Sequence, residues 1–231
     1  MEREENRAVS EASVTEVSTG RSGAGQDSRK RQQILDGARR LFLAEGFDAV
    51  SMADLAKAAG VSKGTLYVYF ESKEELFAEL VRIEKDKHFS PIFTLDPEDH
   101  DVEAVLRRLG HGFCNFITLP HVVMGKRTVI AIGTRMPELT ENFFREGPAR
   151  CRSKLCEYLD AQVAAGILAI PDTSLAAAQF LDLTQSTYGF RLLFGIGGAP
   201  SPEEAVKIID SAVHMFMAAY RPQTRASDGG P

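Results

Sequence analysis

Apolar residues along most of the chain recur with a helical rather than a strand period. Ile34, Ala38 and Leu41 follow one another at spacings of four and three residues, which predicts an amphipathic first helix over about residues 28–45. No stretch alternates apolar and polar residues for long enough to favour a strand. The predicted fold class is therefore all-α.

Two short helices separated by a glycine turn follow the first helix. Ser51 is a good N-cap for a helix that ends at Ala59 and Gly60. Ser62 is the next N-cap, so the following helix covers about residues 63–69. Two short helices with a tight turn between them, braced by helices on both sides, are typical of a helix-turn-helix.

The remainder of the chain continues with helical periodicity. Ser72 is the predicted N-cap of a fourth helix, and Glu75 is expected to complete its capping box. Pro148 lies inside one of the later segments and is expected to kink or divide it. The later segments cover about residues 101–119, 121–134, 137–165, 173–194 and 202–220.

The two ends of the chain differ in composition from its interior. Residues 1–27 are rich in Glu, Ser and Gly and contain almost no large apolar residue, so we expect a disordered arm. Residues 222–231 are expected to form a disordered tail. Between them we place a helix-turn-helix domain at residues 28–75 and a larger helical domain at residues 76–221.

Charge is distributed unevenly along a chain whose net charge is −5. Residues 1–27 hold three basic and six acidic residues, whereas residues 29–73 hold eight basic and five acidic residues. A positive region of this kind can dock on phosphate. The chain has three cysteines, no apolar run long enough to span a bilayer and no secretory pattern at its start, so we expect a cytoplasmic location.

The third helix concentrates the side chains that could contact DNA. Leu66 and Phe70 are expected to face inward, which leaves a polar surface for phosphates and base edges. Ordinary packing of the tyrosines is the alternative interpretation. The candidate DNA-binding residues are Ser51, Ser62, Lys63, Gly64, Thr65, Tyr67, Tyr69 and Lys73.

The stretch from Ile34 to Val81 resembles the DNA-binding domain of TetR-family regulators. The matching blocks are Ile34–Ala38, Leu41–Phe42, Gly46–Phe47, Ser51–Ala56, Ala59–Tyr67, Tyr69–Phe70 and Ser72–Phe77. The resemblance implies a homodimer that binds palindromic operator DNA, usually as a repressor, and a helical domain that binds a small molecule. Met136–Leu139, Phe143–Pro148 and Leu159–Leu168 resemble the ligand domain of the AefR-like branch.

The larger domain is expected to hold a hydrophobic or aromatic effector and to form the dimer. An apolar pocket with a few polar anchors is predicted, although core packing is the more common role of each such aromatic or methionine residue. The candidate ligand-binding residues are Phe113, Phe116, Met124, Tyr158, Gln162, Phe180, Thr184, Tyr188 and Arg191. The candidate dimer-interface residues are Phe190, Phe194, Ala205, Ile208, Ile209, Ala212, Val213 and Phe216.

Other functional classes find little support in the sequence. Motifs for a serine hydrolase, a dinucleotide-binding fold or a zinc protease do not occur, so we predict no enzyme and no cofactor. His111, Cys114 and His121 could build a metal or thiol sensor, but their spacing is unlike that of zinc sites, and we predict no metal. A helical protein–protein adaptor without DNA activity is the remaining alternative.

Overall fold

The computed structural model describes the backbone of residues 20–222 and the side chains of residues 27–83 and 91–222. No strand occurs within residues 20–222, which confirms the all-α prediction. None of the described helices is both long and apolar enough to cross a membrane. The helices are α1 (Gly20–Glu45), α2 (Met52–Ala59), α3 (Lys63–Tyr69), α4 (Lys73–Phe93), α5 (Val102–Ile117), α6 (Pro120–Ile132), α7 (Pro137–Phe144), α8 (Arg150–Ala164), α9 (Thr173–Leu183), α10 (Gly189–Phe194) and α11 (Pro202–Tyr220).

Local capping sets the limits of α2. The Ser51 hydroxyl accepts a hydrogen bond from Asp54 N at 3.2 Å, and the Asp54 carboxylate accepts one from Ser51 N at 3.1 Å. Gly60 follows α2 with a left-handed φ of 65°, which glycine adopts without a steric penalty. Because each of these interactions is local, the predicted limits of α2 are confirmed.

The start of α4 differs from its predicted capping box. The Ser72 hydroxyl accepts a hydrogen bond from Glu75 N at 3.1 Å, as expected of an N-cap. The Glu75 carboxylate, however, accepts a hydrogen bond from Glu71 N at 2.7 Å. The reciprocal bond of the box therefore reaches one residue further back than predicted.

Helix α1 begins at Gly20 and thus includes residues 20–27 of the predicted disordered arm. A tertiary contact accompanies the extra turns, because the Tyr69 hydroxyl donates a hydrogen bond to Asp27 Oδ1 at 2.6 Å. Composition alone does not reveal a partner that lies 42 residues away. Residues 1–19 of the arm and residues 223–231 of the predicted tail lie outside the described residues.

Helices α1–α4 form a small head with its own apolar core. Three phenylalanine rings, those of Phe42, Phe47 and Phe77, lie with centroids 5.3–6.1 Å apart, distances at which tilted aromatic pairs attract. The Lys73 ammonium donates hydrogen bonds to the carbonyls of Phe47 at 3.0 Å and Val50 at 3.2 Å. These bonds tie the start of α4 to the loop between α1 and α2.

Helices α5, α8, α9 and α11 share the main core of the larger domain. A Cβ atom added at Gly110 would lie 2.9 Å from Ile209 Cγ2, so α5 and α11 approach closely at this glycine. Seven residues further along the same face of α11, the rings of Phe180 and Phe216 meet edge to face at 5.6 Å. The apolar stripe of α11 is therefore covered by helices of its own chain.

Two long segments predicted as single helices are divided. A turn of π-helix at Arg145–Ala149 contains Pro148 and separates α7 from α8, so the expected division at this proline is confirmed. The predicted helix at 173–194 is wrong as a continuous element, because residues 184–188 form turns between α9 and α10. There the hydroxyls of Thr184 and Ser186 donate to carbonyls three residues earlier and compete with the helical ladder.

Helix α6 connects the larger domain to the head. Val129 and Ile132, at the end of α6, are buried in the same apolar cluster as the head helices. Beyond α6, Arg135 forms a 3.0 Å ion pair with Asp48 in the loop between α1 and α2. Helix α6 therefore contacts the head directly, in addition to the covalent connection through α4.

Candidate nucleic-acid interface and ligand cavity

Helix α3 presents one face to solvent and buries the other. Leu66 and Phe70 are almost fully buried and hold α3 against the head, as predicted. Lys63 is exposed, and its Nζ atom lies 5.9 Å from the centroid of the Tyr67 ring. Tyr67 is 45% exposed, so its hydroxyl and the neighbouring ammonium are available to an external partner such as DNA.

Gly64 lies on the exposed side of α3 with open space around it. A Cβ atom added there would meet only Ser62 Oγ, at 3.9 Å. Nothing within the described residues of the chain therefore requires glycine at this position. Thr65, one residue on, is half-buried, and its backbone N–H and hydroxyl both interact with the Ser62 hydroxyl. The surface over Gly64 in the first turn of α3 is thus open.

Three other predicted DNA contacts are already engaged within the chain. The Tyr69 hydroxyl donates to Asp27, and this hydrogen bond raises the pKa of the tyrosine. The Lys73 ammonium donates to three backbone carbonyls, so a phosphate contact by this lysine would have to replace at least one of these bonds. The Ser51 hydroxyl caps α2 and lowers the pKa of Asp54.

A cavity of about 1260 Å³ lies between the head and the larger domain. Helices α4–α9 all contribute to its wall, and α1 reaches it through Arg39. Apolar side chains supply much of the lining. They include Phe77, Leu80, Val81, Phe113, Phe116, Ile117, Val122, Met124, Met136, Leu139, Phe143, Phe144 and Leu181. A concave, largely apolar site at a domain boundary is typical of small-molecule binding.

The structure brings three of the nine predicted ligand-binding residues to the cavity, namely Phe113, Phe116 and Met124. Tyr158 and Gln162 instead donate hydrogen bonds to the carbonyls of Asp99 and Pro97 and hold the loop before α5. The other four are also placed elsewhere, because aromatic content does not indicate which side of a helix faces a cavity. Phe180, Thr184 and Tyr188 are buried in the core, and Arg191 is exposed on α10.

Lys126 is a cavity residue that sequence reasoning missed. It lies on α6 beside Gly125, is partly buried, and burial lowers its pKa. The thiol of Cys151 on α8 is the ionisable group that interacts with it, and burial raises the pKa of that thiol to about 12. The available signal was the basic pair Lys126 and Arg127 in a helix whose other residues are mostly apolar.

The predicted dimer face requires correction. Ile209, Ala212, Val213 and Phe216 are buried inside a single chain, and Ala205 and Ile208 pack against the same core. Phe190 and Phe194 stay 75% and 76% exposed, with their rings stacked 6.5 Å apart. Within residues 173–220, the other exposed large apolar side chains are Leu175, Ile196, Val206 and Met215.

The cysteines and histidines do not form a metal site in the described part of the chain. Cys114, Cys151 and Cys156 are free thiols. The candidate ligands of a metal sensor are His111, Cys114 and His121. Among the residues with described side chains, however, no group of three or more His, Cys, Asp or Glu residues could hold a metal ion.

Two family models match the chain at the two regions described above. Residues 34–80 match the model of bacterial regulatory proteins of the tetR family. Residues 104–222 match the C-terminal domain of AefR-like transcriptional repressors. The first match covers the core of the head and the second covers α5–α11, so both predicted resemblances are confirmed.

Curated transcriptional regulators align with the chain in sequence. UidR of Escherichia coli is 26% identical over 162 residues, which are 67% of this chain and 77% of UidR. AcrR of Shigella flexneri is 48% identical over 50 residues, which are only 22% of this chain and 23% of AcrR. These relatives are transcriptional regulators, in agreement with the prediction that the chain is not an enzyme.

Solved structures show the same architecture over nearly the whole described chain. A TetR-family regulator from Mesorhizobium loti superposes with a TM-score of 0.77 at 26% identity, covering 85% of this chain and 99% of that one. The flavonoid-responsive regulator FrrA superposes with a TM-score of 0.70 at 31% identity and the same coverage.

Proposed function

Because the chain belongs to the TetR family of bacterial regulatory proteins, we propose that it is a homodimeric transcriptional repressor that an apolar small molecule releases from operator DNA. The observation that carries this proposal is the shared wall between the head and the cavity. Phe77 lies in the head core and also lines the cavity. A molecule that fills the cavity therefore acts on a residue that positions the DNA-binding helices.

The exposed face of α3 supports direct contact with DNA. Lys63 and Tyr67 offer an ammonium and a hydroxyl that can reach phosphates or base edges in a major groove. The open space over Gly64 would let the sugar–phosphate backbone approach α3 closely. Ser51, at the exposed N-terminus of α2, places amide donors where a phosphate could bind.

Dimerisation would pair two such heads on a palindrome. Phe190 and Phe194 form an exposed aromatic pair that a partner subunit would cover. A two-fold dimer that binds operator DNA must hold its recognition helices one helical turn apart, at roughly 34–36 Å. A cytoplasmic location follows from this proposal, because operator DNA lies there.

Release would operate through α4 and α6. Both helices line the cavity, and both contribute side chains to the head core, among them Phe77 and Leu80 from α4 and Ile132 from α6. A ligand that prefers one arrangement of these helices shifts the population towards it. A coupling free energy of about 1–3 kcal/mol would weaken DNA binding by roughly 5- to 150-fold.

The name of FrrA supports an aromatic effector. That protein is described as flavonoid-responsive and is 31% identical to this chain. The cavity offers the rings of Phe113, Phe116 and Phe143 as surfaces for a planar apolar molecule. We propose on this basis that the effector is hydrophobic or aromatic.

The test of the proposal begins with selection of bound fragments from the source genome, followed by anisotropy titration at several salt concentrations. The double variant Lys63→Ala, Tyr67→Ala should bind a selected fragment at least about tenfold more weakly than the wild type. Lys154→Ala is the matched control, because this lysine is exposed on α8 and pairs with Glu157. Unchanged affinity of the double variant would overturn the proposed interface.

A further inference from the structure

In the described part of the chain, Lys126 lacks the ion pair that two other cations of the cavity wall form. Arg82 pairs with Glu79 at 2.8 Å, and Arg135 pairs with Asp48 at 3.0 Å. Among the residues whose side chains are described, no carboxylate forms an ion pair with Lys126. A partly buried ammonium without a counter-charge is unfavourable unless another anion reaches it.

Among the residues with described side chains, the ionisable group that interacts with Lys126 is the thiol of Cys151, and it does not supply this charge. Cys151 lies opposite on α8, and burial raises the pKa of its thiol to about 12. The thiol is therefore protonated and neutral near pH 7. Burial also lowers the pKa of Lys126, which indicates that its environment disfavours the positive charge. An anion bound beside Lys126 would reverse this effect.

The apolar part of the wall suits the remainder of such a molecule. Phe116, Met124 and Phe143 line the same cavity as Lys126. The cavity volume of about 1260 Å³ exceeds that of a typical pocket for a drug-sized molecule. We propose that the effector is an amphiphile with one anionic group, which Lys126 binds while the apolar walls hold the remainder. This inference rests on the proposed ligand-release function and specifies its ligand class.

Two fluorescent probes with one ring system test the charge preference directly. 1-Anilinonaphthalene-8-sulfonate carries a permanently ionised sulfonate, and N-phenyl-1-naphthylamine is the same molecule without it. Both fluoresce more strongly in apolar surroundings, so their dissociation constants can be measured by titration of the full-length chain. We expect the wild type to bind the sulfonate at least about tenfold more tightly than the neutral probe.

Substitutions in the cavity wall show which side chain produces a preference for the sulfonate probe. Lys126→Met should bring the two dissociation constants together and leave that of the neutral probe nearly unchanged. Lys126→Arg should restore the preference, because it restores the cation. Lys154→Met, an exposed lysine on α8, is the control for the loss of one positive charge. Gly125→Leu directs a side chain towards the ring of Phe143, which would lie 3.9 Å from the new Cβ atom, and should weaken both probes.

The outcomes separate this inference from the proposed function. Equal affinity of the wild type for both probes, with both weakened by Gly125→Leu, would overturn the anionic ligand and retain the cavity. A preference for the sulfonate that persists in Lys126→Met would overturn the role of Lys126. Binding of both probes that is insensitive to Gly125→Leu, or no binding at all, would count against the cavity and therefore against the proposed function itself.

Discussion

Truncation of Phe194 to alanine tests the proposed dimer at its most exposed aromatic residue. The side chain of a phenylalanine presents about 200 Å², and Phe194 is 76% exposed in the single chain. The exposed part of the side chain is therefore ~150 Å². Covering all of it would contribute about 4 kcal/mol for each copy at ~25 cal/mol per Å². If the interface covers half of this surface, the two copies of a dimer together contribute about 4 kcal/mol. The dimer of the variant should then dissociate about a thousandfold more readily.

Sedimentation equilibrium over a range of micromolar concentrations measures this change. Phe144→Ala is a matched control, because Phe144 is also an exposed phenylalanine but lies on α7 at the cavity. It should leave the dimer dissociation constant unchanged. Far-ultraviolet circular dichroism of both variants checks that the helical content is retained, as expected for an exposed ring whose removal leaves no internal cavity.

Two results would refute the reasoning. A wild type that sediments as a monomer throughout the range would remove the dimer from the proposal. A Phe194→Ala variant that dimerises as tightly as the wild type would place the interface elsewhere. Ile209 is unsuitable as a reporter, since it packs against Gly110 inside one chain and its substitution would destabilise the core of the larger domain.

Three further outcomes follow from particular contacts. Gly64→Ala should retain or slightly raise thermal stability, because alanine favours a helix and space is open there, but should weaken operator binding measured by anisotropy about tenfold. Gly37→Ala, whose Cβ would lie 2.7 Å from Ala59 Cα, should instead lower the melting temperature of the head by several degrees. Arg82 and Arg31 together lower the pKa of Glu79 to about 2. The stability that this carboxylate contributes is therefore present above its usual pKa of 4.5 and is lost as the pH falls towards 2. In Glu79→Gln, the free energy of unfolding from denaturant titrations should change by about 1 kcal/mol less over that window than in the wild type. Ile132→Val should lower the free energy of unfolding, measured by denaturant titration, by about 1 kcal/mol. It should also reduce the factor by which a cavity ligand weakens DNA binding. An unchanged factor would exclude Ile132 from the coupling.

The head was predictable because its signals are local. Ser51 and Ser62 cap the helices that follow them, and Gly60 ends α2 in a left-handed conformation. Each of these interactions spans no more than a few residues, so residue type and spacing are enough to place it. The inward direction of Leu66 followed from the same helical period.

The larger domain was less predictable because its partners lie far along the chain. The stripe of α11 correctly indicated burial around Ile209, but a stripe is the same whether its own chain or a second subunit covers it. In this structure α5 covers it, at Gly110. The cavity depended on the relative placement of six helices, so neither Lys126 nor the wall residues of α7 and α8 could be selected by residue type.

The burial of α6 residues in the head core limits how freely the DNA-binding part could be recombined with other sensors. Val129 and Ile132 belong to the same apolar cluster as Phe42 and Phe77, although more than 50 residues of sequence separate the two pairs. A head excised after α4 would expose the apolar surface that α6 covers. A chimera that joins this head to a foreign sensing domain would therefore have to retain α6, or a substitute of the same shape, at the junction.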